Sequence, residues 1–245
     1  MITKNTVKLI QSLQLQKYRK AHQLFVVEGR KMVEELLCSG MEVCYLMATE
    51  RYHEEHPFGH QLLEIVTEVQ MEQMSGQDTP PGILAVAKIP APVTIKNEGM
   101  VLALDGIANP GNMGTIIRTA EWFGLKQIVC SEDCVEIWNP KVIQATMGSI
   151  FRMSMAYTDL EQFLKDSGRP VYGALLEGEN IFKKEGSWAD GIIVIGSESH
   201  GIRSHILPLI THPITIPRAE GSVTESLNAS MATGIILASW ASKLS

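Results

Sequence analysis

The stretch from Leu104 to Gly124, LDGIANPGNMGTIIRTAEWFG, decides how this chain is read. An apolar run stops at Asp105 and gives way to Asn109, Pro110 and the glycines at 106, 111 and 114. A helical pattern follows, with Ile116, Ala120 and Phe123 at i, i+4 and i+7 forming its buried stripe. Arg118 is turned about 200° from Ile116, away from that stripe. Its one acidic neighbour on the same face is Glu121 at i+3, so an ion pair on its own helix is the simplest role for it. Asn112 is placed to cap the helix. Glycines at a strand end let the backbone come close to a ligand. No G-x-G-x-x-G follows a strand and no G-x-x-x-x-G-K-[ST] occurs, which excludes the dinucleotide and P-loop solutions.

Working outward, short apolar runs alternate with helical patterns: MVLALDG, KQIVCS, PVYGALL, GIIVIGS and HPITIP. That rhythm predicts an α/β fold with a mostly parallel sheet covered by helices on both faces. A proline-punctuated linker at about residues 90–98 separates it from a smaller α/β part. There, RKMVEELLCSG reads as a helix with a glycine stop, VCYLMAT as a strand, and QLLEIVTEVQMEQMS contains a helical stretch or two. The expected domains are 1–92 and 98–245.

The chain has 245 residues, 45% of them apolar, which is enough for a packed core. No apolar stretch is long enough to cross a bilayer, and MITKNTVKLIQSLQLQKYRK lacks a secretory core. The four cysteines lack zinc spacing and read as reduced thiols, so a cytoplasmic location is expected. His53, His56 and His60 in HEEHPFGH do not match H-E-x-x-H, and Pro57 interrupts any helix there, so no metal is expected. Net charge is −6, but residues 1–31 hold seven cations against Glu28, or +6, leaving −12 for the rest. Such asymmetry fits either a solvated helix face or a surface that meets a polyanion.

Ligands of open parallel sheets gather beyond the C-terminal strand ends. Two further loops lie there: IGSESHGI, with Gly196 and Glu198, and IPRAEGSVTESLNASMATGI, in which a helix should begin near Ser226 and Asn228. A hydrolase elbow is excluded because Ser197 stands where its first glycine is required. Together with DGIANPGNMGTIIRTA, these loops resemble the three signature motifs of the SpoU/TrmH family of RNA 2′-O-ribose methyltransferases, within the SPOUT superfamily. KYRKAHQLFVVEGRKMVEELLCSG and DTPPGILAV likewise resemble the substrate-binding domain that precedes the catalytic one in many members.

The resemblance implies a C-terminal domain closed by a trefoil knot, an L30e-like N-terminal domain, S-adenosylmethionine as cofactor and a homodimer acting on rRNA or tRNA. It carries a catalytic role to Arg118, Asn112, Glu198, Ser226 and Asn228. It places the cofactor against Ala174, Leu175, Gly196, Ile216 and Leu227. The basic N-terminal segment, with Lys17, Arg19, Lys20 and Arg30, then becomes the expected RNA surface. Arg218 stands where methionine is common, in a loop longer than in many relatives, which leaves open whether this loop contacts the cofactor or Arg218 touches RNA. The competing reading is an RNA-binding module that keeps the fold without the chemistry.

Overall fold

The computed structural model describes residues 2–183 and 188–244 and divides into two compact units. The first comprises Met1–Ala91 with Glu136–Phe151, and the second Pro92–Val135 with Arg152–Ser245.

The first unit runs α1 (Lys4–Ser12), α2 (Gln16–His22), β1 (Leu24–Glu28), α3 (Arg30–Cys38), β2 (Val43–Thr49), α4 (Glu50–Glu55), β3 (Leu63–Val66), α5 (Glu68–Met74) and β4 (Ile83–Lys88). Its sheet has the order β1-β4-β2-β3, with β4 antiparallel to both neighbours and β2 parallel to β3. The segment expected to contain one or two helical stretches holds one, preceded by a strand. LEIV is strand β3, and Thr67 then caps α5 in a capping box with Gln70. Val7, Ile10 and Leu13 from the α1 region and Met71 and Met74 from α5 bury against Val26, Met47, Leu84 and Val86 of the sheet.

The second unit contains β5 (Met100–Asp105), α6 (Pro110–Trp122), β6 (Gln127–Ser131), β7 (Ser154–Thr158), α8 (Leu160–Ser167), β8 (Val171–Asn180), β9 (Gly191–Gly196), β10 (His212–Thr215) and α9 (Ala229–Ala241); α7 (Pro140–Thr146) belongs to the first unit. Its six strands lie in the order β10-β8-β9-β5-β6-β7, and every pairing is parallel. Strands β5 and β6 are buried along their whole length, as expected for a sheet covered on both faces. From β5 the chain moves outward through β6 to β7, then returns to β8 on the far side of β9. The switch point therefore lies between β5 and β9, where Asp105 pairs with Gly196.

Residues 136–151 lie beyond the linker in sequence yet complete the first unit. Phe25 of β1 meets Trp138 at 4.5 Å between ring centroids and Phe151 at 6.5 Å. Arg19, expected on an RNA-facing surface, is 1% exposed. Its Nη1 donates to the Leu13 and Gln14 carbonyls at 2.7 and 2.9 Å, just past the end of α1. Its Nε and Nη2 hold Glu136 Oε2 at 3.1 and 2.5 Å. One planar guanidinium thus satisfies frayed helix carbonyls and neutralises a mostly buried carboxylate. The expectation for Arg19 is corrected on that ground: it is a structural cation. Lys17 and Lys20, by contrast, are exposed on α2.

Removing one partner of a buried pair strands the other. Arg19→Ala should cost about 3 kcal/mol of stability in urea titrations. Lys17→Ala and Lys20→Ala should each stay within about 0.5 kcal/mol. Equal midpoints for all three variants would contradict the buried role.

Candidate active site

The turn after β5 opens at Gly106, whose φ of +71 is a glycine conformation. The helix then starts earlier than the sequence suggests. Asn109 is the cap, its Oδ1 accepting the Asn112 N–H at 3.0 Å, and Pro110 occupies the first turn, where a missing N–H costs nothing. Asn112 is therefore inside α6, and the expectation that it caps the helix is corrected. Its side chain is released for other partners.

After β9 the chain closes a tight ring. Ser197 N–H donates to Gly201 O at 3.1 Å, and Gly201 N–H returns to Ser197 O at 2.8 Å. A Cβ on Gly196 would overlap the Gly201 backbone, so only glycine admits this closure. The ring holds Glu198 out toward solvent, and there its carboxylate accepts a hydrogen bond from the Asn112 amide nitrogen.

The third loop delivers Asn228. Helix α9 starts at Ala229 with Asn228 as its cap, three residues later than the expected start near Ser226. Asn228 Oδ1 accepts from Ser230 N at 2.9 Å, Ser230 Oγ at 2.6 Å and Met231 N at 3.3 Å. Its amide nitrogen is left to donate, and it donates to Asn112 Oδ1 at 3.0 Å. The orientations are mutually enforced: an ionised carboxylate accepts only, so Asn112 turns its nitrogen to Glu198 and its oxygen to Asn228.

Three loops are thus joined by a chain of side-chain hydrogen bonds, Asn228 to Asn112 to Glu198. The other two residues assigned a catalytic role stand outside that chain. Ser226 is exposed in the coil before the cap. Arg118 is exposed on α6, about 9 Å along the axis and about 120° around from Asn112. The ion pair expected for it goes elsewhere, since Glu121 is bound by Arg152, with Nη2 to Oε2 at 3.2 Å. Arg118 is left without an ion-pair partner among the described residues.

Of the residues expected to hold the cofactor, Ala174 and Leu175 are half-buried in β8 just past its last pairing with β9, at Gly173. The strand does not end there as read, but re-pairs with β10 from Glu179, and the backbone between bows out. Gly196 and Ile216 are half-buried, and Leu227 is 46% exposed. Arg218 turns back into its own loop, donating to Thr224 O at 3.2 Å.

Two residues not singled out in the sequence complete the floor of the site. Cys134 Sγ accepts the Ile107 N–H at 3.2 Å, beneath the first loop. Asp105, fully buried, accepts from the backbone and side chain of Arg203. Neither has a local signal for this placement, because Ile107 and Arg203 lie 27 and 98 residues from Cys134 and Asp105.

The model of the SpoU rRNA Methylase family matches residues 99–238. The chain belongs to this family. The MRM3-like substrate binding domain matches residues 4–85. A putative RNA methyltransferase of the TrmH family from Porphyromonas gingivalis is 35% identical, with a TM-score of 0.87 and 98% of each chain covered. An AdoMet-bound rRNA methyltransferase from Sinorhizobium meliloti is 25% identical, with a TM-score of 0.84, over 100% of this chain and 97% of that one. Among curated proteins, the 23S rRNA (guanosine(2553)-2′-O)-methyltransferase RlmP of Bacillus subtilis is 27% identical over 94% of both chains. The three hydrogen-bonded side chains and Arg118 all fall inside the segment that matches the family.

The Cys134 thiol is lowered to about 7, first by its hydrogen bond with Cys130, then by Ser131 and the Ile107 and Gly106 N–H groups, against the opposing effect of burial. A group lowered in the folded state contributes stability that is full above its unfolded value and lost as pH falls through the folded one. The urea midpoint should therefore climb between pH 7 and about 9. In Cys134→Ala this climb should shrink, and an identical slope in both proteins would refute the assignment.

Proposed function

We propose that the protein transfers a methyl group from S-adenosylmethionine to a ribose 2′-hydroxyl of rRNA or tRNA. The observation that carries this reading is the Asn228–Asn112–Glu198 chain at the switch point of the parallel sheet. Family membership, the activity in the name of the Bacillus subtilis relative and the AdoMet in the Sinorhizobium meliloti structure support it. A binding module without chemistry would have no need for a carboxylate and amides joined across three strand-end loops, with an unpaired guanidinium on the helix that follows the first.

The residues present fit the cofactor. Leu176 midway along β8 and Leu227 at the end of the third loop expose apolar side chains, while Gly196 offers backbone without a side chain. Residues 216–228 are coil and turn, so much of their backbone is free to bond a ligand. Ala174, Leu175, Gly196, Ile216 and Leu227 would hold the cofactor, with apolar groups on its adenosine and backbone groups on its polar edge. When bound, it supplies an activated methyl group.

The protein's own task is to orient the acceptor hydroxyl and remove its proton. Glu198 keeps acceptor capacity beyond the bond from Asn112, and Asn112 fixes where that capacity points. Arg118, carrying a guanidinium, is a poor base. Its unpaired guanidinium instead holds the phosphate beside the acceptor ribose and stabilises the developing alkoxide. Ser226 adds a hydroxyl on the open side of the third loop.

Five finer readings accompany this one. The second unit is knotted in the manner of its family, and the first is an L30e-like module that binds the RNA. The protein acts as a homodimer through the catalytic unit, a reading supported by Trp122 at 85% and Met231 at 61% exposure on α6 and α9. It works in the cytoplasm, in keeping with four free cysteines. For RNA docking, exposed Lys17, Tyr18, Lys20 and His22 on α2 replace the original set that included Arg19, with Lys17 Nζ 4.7 Å from the Tyr18 ring centre. Arg30 contributes less, because Glu34 holds it at 2.8 Å.

Incubation with total cellular RNA and methyl-labelled S-adenosylmethionine should label RNA at ribose 2′-oxygens. Binding without incorporation, across several RNA sources, would leave the inactive module instead. Arg118→Ala should lower incorporation about 100-fold or more with cofactor binding unchanged. Arg118→Lys should keep measurable activity if a positive charge suffices, and loss to the alanine level would mean that guanidinium geometry is required. Separately, Lys17→Glu with Lys20→Glu should weaken RNA binding and flatten its salt dependence, leaving cofactor affinity alone. Unchanged RNA affinity would remove α2 from the docking surface.

A further inference from the structure

At the ends of the same strands lies a second cluster, built on one buried carboxylate, that the reaction scheme does not use. Asp105, the last residue of β5, is completely buried. Arg203 meets it twice: the backbone N–H donates to Oδ2 at 2.8 Å and Nε donates to Oδ1 at 2.6 Å, with Nη2 on the same oxygen. Arg203 Nη1 reaches on to Asp133 Oδ2 at 3.2 Å, in the turn after β6. Gly106 sits between these groups, since a Cβ there would lie 3.5 Å from Asp133 Oδ2 and 3.9 Å from Ser197 Cβ. The strand-end turns of β5, β6 and β9 are therefore tied to one guanidinium.

We infer that Asp105 and Arg203 are positioning residues that set the Glu198 ring against Asn112 for the transfer reaction; this rests on the function proposed above. The ring, Ser197 to Gly201, follows Gly196, held by its pairing with Asp105, and leads within two residues to Arg203, held by the Asp105 carboxylate. Both ends of the segment carrying Glu198 are thus fixed to the same residue of β5. Because main chain and side chain of Arg203 bind one carboxylate, neither the loop's exit point nor its direction is free. Stability alone does not call for this arrangement, because a buried ion pair is commonly no more stabilising than apolar residues of its size. It does supply directional geometry, and a displacement of about 1 Å at a reacting group costs about 100-fold in rate.

The test compares Arg203→Met, Arg203→Lys, Glu198→Gln and the Arg203→Met/Glu198→Gln double variant. Arg203→Met should lower kcat about 30-fold or more with little change in KM for RNA, and Arg203→Lys should recover part of the loss. In the Glu198→Gln background, the same Arg203→Met change should cost less than about threefold, because the clamp acts through Glu198. Hydrogen exchange read without substrate should show faster exchange at 198–202 in Arg203→Met and unchanged protection along β5. Full additivity of the two substitutions, unchanged kcat in a folded Arg203→Met protein, or unchanged exchange at 198–202 would each overturn the inference. Should Arg203→Met fail to fold, Arg203→Lys and its double variant with Glu198→Gln carry the same additivity test. A wild-type protein that labels no RNA would defeat the proposed function, and the exchange measurement would still decide the clamp.

Discussion

The parallel pairing of β5 with β9 governs everything at the site. It brings Asp105 level with Gly196, so the loops that leave the two strands start side by side. Neither strand tolerates a polar residue before its end, being buried nearly throughout. The first polar positions therefore fall together on one edge of the sheet. Asn112 and Glu198 are 86 residues apart in sequence, and this register makes them neighbours. The third loop joins because α9 packs along α6, where Gly234 leaves Thr119 Cγ2 within 3.8 Å of a missing Cβ.

Much of the second unit was legible in the sequence because its central strands are unbroken apolar runs with glycine punctuation. The strands read at MVLALDG, KQIVCS and GIIVIGS correspond to β5, β6 and β9. Strand β7, Ser154–Thr158, has no such signature, because it lies at the sheet edge, only half-buried, and carries no apolar run. Strand β3 was hidden for a similar reason: four short residues precede a strong capping box that draws the eye to a helix. The grouping of 136–151 with the first unit has no local sign at all, since it depends on Phe25 and Arg19 finding partners more than a hundred residues later.

At the site, residue type was easier to read than geometry. Two asparagines three positions apart, Asn109 and Asn112, compete for the cap, and Pro110 decides for the first by fixing the helix start. Charge alone gave no distinction between Lys17, Arg19 and Lys20, yet helical rotation buries the middle one and exposes its neighbours. Arg203 escaped notice because a lone arginine in a polar loop looks solvated until its carboxylate, 98 residues away, is seen to be buried.

The discontinuous first unit has a bearing on how the chain is made. On the ribosome, β1 through β4 emerge well before Trp138 and Glu136 exist, so Phe25 and the Arg19 guanidinium wait without their partners. Its final closure must follow synthesis of β5, α6 and β6, which reverses the usual order in which an N-terminal domain finishes first. The nascent chain therefore carries an open aromatic seam during the very interval in which the catalytic sheet begins to assemble, and evolution of either half is tethered to the other through sixteen residues, Glu136–Phe151.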